Sequence, residues 1–136
     1  TYAHHLNLRE GQQLHFELGR SIVAQCGSLI TRTLYIKQGT QKQFVIVDAG
    51  MTDLIRPALY HAYHQIENIS SNAPMEVYDV VGPICESSDV FAKSIELNKT
   101  KRGDLLAIRS AGAYGETMAS QYNCRQLPQG YITEDL

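Results

Sequence analysis

Hydrophobic and polar residues alternate through much of the chain, and helical spacing stands out in one place. In QQLHFELGRS (12–21), Leu14, Phe16 and Leu18 fall on one side and His15 and Glu17 on the other, before Gly19 breaks the pattern. Period-two alternation predicts a short strand ending in a turn. The stretch SIVAQCGSLITRTLYIK (21–37) is ambiguous at its start. Its β-branched residues, with Leu29, Thr31, Thr33 and Tyr35 set against Ile30, Arg32, Leu34 and Ile36, predict a strand over about 29–37. QGTQ (38–41) reads as a turn and KQFVIVDAG (42–50) as a second strand, which makes 29–50 a β-hairpin.

The segment LIRPALYHAYHQIENI (54–69) predicts the one principal helix, with Asp53 near its start as a cap and Pro57 in the first turn. Ala58, Leu59, Ala62 and Ile66 form its apolar stripe. Loop-forming residues fill 70–74. Strands follow over 75–83 and 104–114, with turn signals over 97–104 and a last strand near 130–133. The sum is a mainly antiparallel β domain, barrel or sandwich, with one helix.

Composition narrows the class. The 136 residues suit one domain, and 43% hydrophobic with 19% charged residues describes a globular chain. A net charge of −2 gives no electrostatic reason to invoke nucleic acid or an anionic membrane. No apolar run approaches the roughly 18 residues of a membrane-spanning helix. Cys26, Cys85 and Cys124 are an odd number without Cys-x-x-Cys spacing, which argues for a reducing, cytoplasmic setting over a disulfide framework. The chain opens on Thr1, and its first ten residues show no clear start to a fold, which reads as a piece of something longer.

Several constellations carry chemistry, each with a plainer competitor. Arg56 and Tyr60 lie four apart on the expected helix, so a guanidinium fork and a phenol share a face suited to a carboxylate. The plainer reading is a surface Arg packed along a Tyr. His61 and His64 have a spacing that serves a metal, but no companion ligand stands at a recognisable distance, and a solvated face is the better reading. Glu17 and Arg20 flank Gly19, which suits a phosphate or a protonated ring nitrogen, against an ordinary salt-bridged turn. SAGAYGETMAS (110–120) sets Tyr114 between Gly112 and Gly115, either for close approach to a ligand or for a tight barrel bend. Cys85 and Glu86 follow Gly82 and Pro83 and offer a proton donor beside an ammonium-binding acid, or a packing thiol beside a surface acid.

Taken in order, ELGRSIVA, VDAGMTDLIRPALYHAYH, DVVGPICESSD and GDLLAIRSAGAYGETMASQYN resemble the C-terminal third of the diaminopimelate decarboxylases, fold-type III pyridoxal-phosphate enzymes of lysine biosynthesis. The resemblance runs from about residue 14 to residue 125. It implies a C-terminal β-barrel, Greek-key-like and similar to that of alanine racemase, over 29–136. Residues 1–28 are then the remnant of the last strand of a pyridoxal-phosphate-binding (β/α)₈ barrel. It also implies a homodimer with shared active sites and meso-diaminopimelate as substrate. By resemblance, Glu17 faces the pyridine nitrogen, Gly19 and Arg20 reach phosphate and substrate, and Arg56 and Tyr60 bind substrate. Cys85 is then the proton donor and Glu86 the substrate-binding acid, both supplied across the dimer interface, and Tyr114 a contact to cofactor phosphate and substrate.

Residue types fit that chemistry. Diaminopimelate carries a second amino-acid group whose carboxylate suits Arg56 with Tyr60 and whose ammonium suits Glu86. The related ornithine decarboxylases need no distal carboxylate clamp and typically carry Asp after the Cys. Leu18 departs from the family, which has proline there. Lys37, Lys42, Lys93, Lys99 and Lys101 all fall outside the family's cofactor-lysine context, and a (β/α)₈ barrel of about 250 residues cannot fit in this length. The expectation is an inactive fragment carrying authentic half-site residues. Two alternatives stand beside it: a free-standing dimerisation or binding module, and a related ornithine or carboxypolyamine decarboxylase. Residues 1–28, without a barrel to pack on, are expected to fray, dock elsewhere or swap between chains.

Overall fold

The computed structural model describes residues 5–135. Six strands form one sheet that wraps into a nearly closed barrel: β1 (Ser28–Gln38), β2 (Gln43–Val47), β3 (Ile66–Asn68), β4 (Met75–Val81), β5 (Val90–Asn98) and β6 (Leu105–Arg109). Their order is β3-β6-β1-β2-β4-β5, and β3 packs against β5 along the seam. All neighbours are antiparallel except β2 and β4, which run parallel with Phe44 opposite Asp79 and Ile46 opposite Val81. One helix of five residues, α1 (Arg56–Tyr60), lies in the long crossover between those two strands.

Alternation puts the core inside the barrel. Val45 and Val47 on β2, Tyr78 and Val80 on β4, and Leu106 and Ile108 on β6 are buried and meet Leu54, Phe91 and Leu97. Thr31 and Thr33 also face inward from β1, and the Thr31 hydroxyl is satisfied: it donates to Asp48 Oδ1 (2.6 Å) and accepts the Ala49 N–H (2.9 Å). The expected hairpin over 29–50 is present, with Gln38 opposite Gln43. β1 is long enough to serve two neighbours. Its first half pairs with β6 from Ser28–Arg109 to Arg32–Leu105, and its second half with β2. Where β3 meets β5 the ladder gives way to side chains. The Asn68 amide on β3 donates to Asn98 O at the end of β5 (3.5 Å), and to Thr100 Oγ1 (3.0 Å) and Asp104 Oδ2 (3.1 Å) in the turn that follows.

Several expectations need correction. The helix is not sixteen residues long: it stops at Tyr60, where His61 turns left-handed (φ 52°). Ile66–Asn68, read as its last turn, is strand β3 paired with Ile108–Leu106 of β6. Ile66 is buried by that ladder, so tertiary pairing overrides the local helical spacing. Asp53 does not cap the helix; its carboxylate accepts the Gly50 N–H (2.7 Å) and closes the turn before it. Residues 14–18 form no strand, and Phe16 and Leu18 are exposed, because no strand lies alongside to complete a ladder. Residues 130–132 are likewise irregular.

The strands expected over 75–83 and 104–114 are shorter, and β5 lies in a stretch not read as strand. A bulge explains its hidden pattern. Ser94 takes a left-handed backbone (φ 53°) and donates its N–H to Asp79 Oδ1 (2.6 Å). Residues 1–4 of the expected N-terminal remnant lie outside the described residues.

Candidate functional site

Helix α1 is anchored at its N-terminal end. The turn before it is closed by Asp53 N–H to Gly50 O (2.9 Å) and Leu54 N–H to Gly50 O (3.2 Å), and Leu54 fills the core. Arg56, on the first turn, is 8% exposed, yet no carboxylate lies within 4 Å of its guanidinium among the described residues. Two aromatic rings stand there instead. The guanidinium carbon is 5.4 Å from the centroid of Tyr60, one turn along, and 5.9 Å from that of Tyr114. Such contacts are worth about 0.5–2 kcal/mol each and leave the guanidinium's planar hydrogen-bonding fork unspent.

Tyr114 arrives from far along the chain by a strained route. Its φ is 63°, a left-handed conformation that a non-glycine residue adopts at a cost of about 1–2 kcal/mol. The stretch before it is pressed against residues 23–27. Ala111 N–H donates to Gly27 O (2.9 Å) and Gly112 N–H to Ala24 O (3.0 Å). A Cβ on Gly112 would come within 2.8 Å of Gly27 N, so only glycine allows this approach.

Cys85 and Glu86 ride on the loop 82–89 between β4 and β5, both exposed, and Cys85 is a free thiol. Asp89, 3% exposed, closes that loop. Its Oδ2 accepts the Ile84 N–H (2.7 Å), its Oδ1 accepts the Met51 N–H (2.6 Å), and its carbonyl accepts the Gly82 N–H (3.0 Å). Burial pushes the Asp89 carboxyl up from its ordinary value, against the pull of the Ile84 and Met51 N–H groups. Arg125 reaches the same corner, donating to Asp48 O and standing 3.7 Å from Asp53 Oδ2.

Of the residues singled out by sequence, the structure gathers Arg56, Tyr60 and Tyr114 and ties the Cys85–Glu86 loop to the turn leading into α1. It does not bring Glu17, Gly19 and Arg20 to them. These are exposed, a Cβ on Gly19 would meet nothing within 4 Å, and no hydrogen bond or ion pair joins Glu17 or Arg20 to the cluster among the described residues. His61 and His64 do not share a helix face: His61 ends α1, and His64 is buried with Nδ1 2.9 Å from Arg109 O. Asp89, Gly82 and the Met51 turn carried no sequence signal of their own beyond an Asp standing directly before the apolar start of β5.

Two open grooves, of about 490 Å³ beside Lys42 and Asp79 and about 780 Å³ along the β3–β5 seam, include none of Arg56, Tyr60, Cys85, Glu86 or Tyr114. The cluster lies outside both grooves. Lys42 is paired with Asp79 (2.9 Å) and Lys99 with Glu76 (3.0 Å), and among the described residues no hydrogen bond joins a lysine to Arg56, Tyr60 or Tyr114. No described helix is long and apolar enough to cross a membrane.

Known proteins share this architecture. Residues 21–112 match the family model for the pyridoxal-dependent decarboxylase C-terminal sheet domain. The chain is 71% identical over all 136 residues to a diaminopimelate decarboxylase of Bacteroides thetaiotaomicron, covering 35% of that protein. It is 53% identical over 124 residues to a diaminopimelate decarboxylase of Helicobacter pylori, covering 88% of this chain and 31% of the relative. The chain thus spans about a third of the length of the curated relatives it matches. Among solved structures, diaminopimelate decarboxylase from M. jannaschii in co-complex with L-lysine superposes with a TM-score of 0.79 at 47% identity, over 81% of this chain and 25% of that one. The H. pylori enzyme complexed with L-lysine gives a TM-score of 0.75 at 54% identity, over 82% of this chain and 28% of that one. With its six-stranded sheet, its family-model match over residues 21–112 and its 71% identity to a known decarboxylase over the whole chain, this chain belongs to the pyridoxal-dependent decarboxylases, as their C-terminal sheet domain.

Proposed function

We propose that this chain is the C-terminal part of a cytoplasmic diaminopimelate decarboxylase, a carboxy-lyase converting meso-2,6-diaminopimelate to L-lysine and CO₂. In this reading residues 29–136 are the barrel domain, and 1–28 complete a pyridoxal-phosphate-binding barrel that lies outside this chain. One observation carries the proposal: Arg56 is 8% exposed and set between two tyrosines, and among the described residues no carboxylate pairs with its guanidinium. A buried charge is expensive unless paired. An incoming carboxylate supplies the missing partner in bidentate geometry.

The roles follow from that placement. Arg56 and Tyr60 hold the distal carboxylate of the substrate, with the Tyr114 ring fixing the guanidinium plane. Glu86, supplied across the dimer interface, takes the distal ammonium, so that two subunits together read both charges of the far amino-acid group. The reacting end loses its carboxylate as CO₂, and the electron pair of the broken bond stays on Cα. Pyridoxal phosphate, when bound, supplies the electron sink for that pair. The Cys85 thiol then gives its proton to Cα and recovers one from solvent. Glu17, Gly19, Arg20 and Tyr114 are assigned to the cofactor's ring and phosphate. Because Cys85 and Glu86 come from a second subunit in this reading, the working form is a homodimer with shared sites. Alone, the chain is inactive.

The test is CO₂ release by the full-length polypeptide supplied with pyridoxal phosphate. Meso-diaminopimelate should be turned over with a kcat/KM at least about 100-fold above that for ornithine, since a site built for a charged group rejects the analogue lacking it. Equal turnover of ornithine would overturn the substrate assignment. Turnover by the 136-residue chain alone would overturn the half-site reading.

A further inference from the structure

The chain that follows Tyr114 returns to the turn that launches Arg56 and holds it from a second side. Ser120 N–H donates to Thr52 O (2.9 Å). Arg125 then reaches in: its Nη2 donates to Asp48 O and stands 3.7 Å from Asp53 Oδ2, the same oxygen that accepts the Gly50 N–H (2.7 Å). Asp48 is itself fastened to β1, since its N–H donates to Arg32 O (2.9 Å) and its Oδ1 accepts the Arg32 N–H (2.8 Å). One guanidinium nitrogen therefore links the turn before α1 to the barrel wall. The route to it is strained. Asn123 (φ 62°) and Cys124 (φ 58°), directly before Arg125, are both left-handed, at about 1–2 kcal/mol each. Such strain persists where the surrounding contacts hold it in place. The segment 114–125 thus grips the Arg56 turn at three points: the Tyr114 ring beside the guanidinium, Ser120 on Thr52, and Arg125 on Asp53 and Asp48.

We propose that Arg125 is a positioning residue: by fastening the 50–54 turn to β1 it sets the Arg56 guanidinium for the far carboxylate of the substrate. The proposal rests on the carboxylate-binding role given to Arg56 above. All of its parts belong to one chain and to the Arg56 side of one site, apart from the Cys85 loop that this chain gives to its partner. Arg125 touches neither substrate nor cofactor. It matters because a planar fork must meet a carboxylate in register, and a remote change that misplaces such a group by about 1 Å costs on the order of 100-fold.

The test uses the full-length polypeptide with pyridoxal phosphate, as wild type, Arg125→Met, Arg125→Lys, Arg56→Met and the Arg125→Met, Arg56→Met double variant. Measured on each are CO₂ release from meso-diaminopimelate, inhibition by L-lysine and by 1,5-diaminopentane, and residue-resolved amide hydrogen exchange. L-lysine keeps the far carboxylate and the diamine lacks it. Arg125→Met should raise both KM and the L-lysine inhibition constant at least about tenfold, while kcat changes less than about threefold and diamine inhibition less than about twofold. Exchange at the Gly50 and Asp53 amides should quicken at least about tenfold. In the Arg56→Met background the same substitution should change kcat/KM less than about twofold, because the group it positions is already gone. Losses that multiply independently, weakening that falls on the diamine as much as on L-lysine, or exchange that does not change would each overturn the proposal. Arg125→Lys keeps the charge on a shorter reach, so it should raise KM only about two- to fivefold, with the same selectivity for the carboxylate. If Arg125→Met does not fold, the lysine variant decides: an unchanged KM, or a loss shared with the diamine, would refute the positioning role. A wild type that releases no CO₂ from diaminopimelate sinks the decarboxylase reading alone, and exchange at Gly50 and Asp53 continues to judge Arg125.

Discussion

Substituting Gly82 by alanine tests how tightly the corner around Asp89 is built. The new Cβ would stand 2.5 Å from Asp89 Oδ1 and 2.6 Å from Cγ, where ordinary contact begins at 3.4 Å. Asp89 is held in place, since both of its oxygens accept backbone N–H groups. Relief therefore breaks one bond to a charged acceptor, worth about 1.5–3 kcal/mol, and strains the packing by about another 1 kcal/mol. Alanine's smaller unfolded-state entropy returns up to about 1 kcal/mol. The net loss is about 3 kcal/mol, which lowers Tm by roughly 10 °C for a domain of this size. Differential scanning calorimetry reads it, with Gly19→Ala as control, because a Cβ there meets nothing within 4 Å and its Tm should move by less than about 1 °C. A Gly82→Ala Tm within about 2 °C of wild type, or a control that falls equally far, would refute the reasoning.

Arg56→Met in the full-length polypeptide should raise KM for diaminopimelate about 100-fold or more, and Arg56→Lys should recover only part of it, since lysine lacks the planar fork; steady-state kinetics decides. Tyr114→Gly should separate stability from binding: relief of the left-handed backbone should keep or raise Tm, while loss of the ring beside Arg56 should raise KM, and a fall in Tm would contradict the strain argument. Acid stability should depend on two aspartates with opposite signs. Burial alone would raise the Asp79 carboxyl, but Lys42 at 2.9 Å and the Ser94 N–H hold it below its ordinary value. Its stabilisation is present above the ordinary carboxylate range and is lost as pH falls through the lowered value, so Asp79→Asn should flatten the acid limb of a urea-midpoint profile. Asp89 is raised chiefly by burial, so the fold gains from its protonation as pH falls through the raised value, and Asp89→Asn should steepen that limb.

How much of this was written openly in the sequence varies with distance along the chain. The 29–50 hairpin was legible because both strands alternate and a turn joins them directly. The helix over 54–69 was over-extended because Ala58, Leu59, Ala62 and Ile66 keep helical spacing, while Ile66 answers to Ile108, forty-two residues away. β5 was hidden because Ser94 inserts an extra residue into its alternation. Leu14, Phe16 and Leu18 alternate properly and still form no strand, since a ladder needs a neighbour. Within the site, Arg56 and Tyr60 could be paired by their spacing of four. Tyr114 reaches them only through a left-handed turn that glycines at 112 and 115 permit. Asp89 works entirely through backbone donors, which no side-chain pattern announces.

The strand pairing also dictates when this domain can exist during synthesis. β1 begins at Ser28, yet one of its two neighbours is β6, with Ser28 opposite Arg109 and Arg32 opposite Leu105. β2 waits in the same way for β4, whose pairing residues start at Asp79. At about 5–20 residues per second, a ribosome needs several seconds after finishing β1 to deliver β6. Through that interval the inward face of β1 and the whole β1–β2 hairpin stay half-covered. The barrel is consequently assembled in one late step, and the chain that leaves the ribosome first is the chain that must wait longest for its partner.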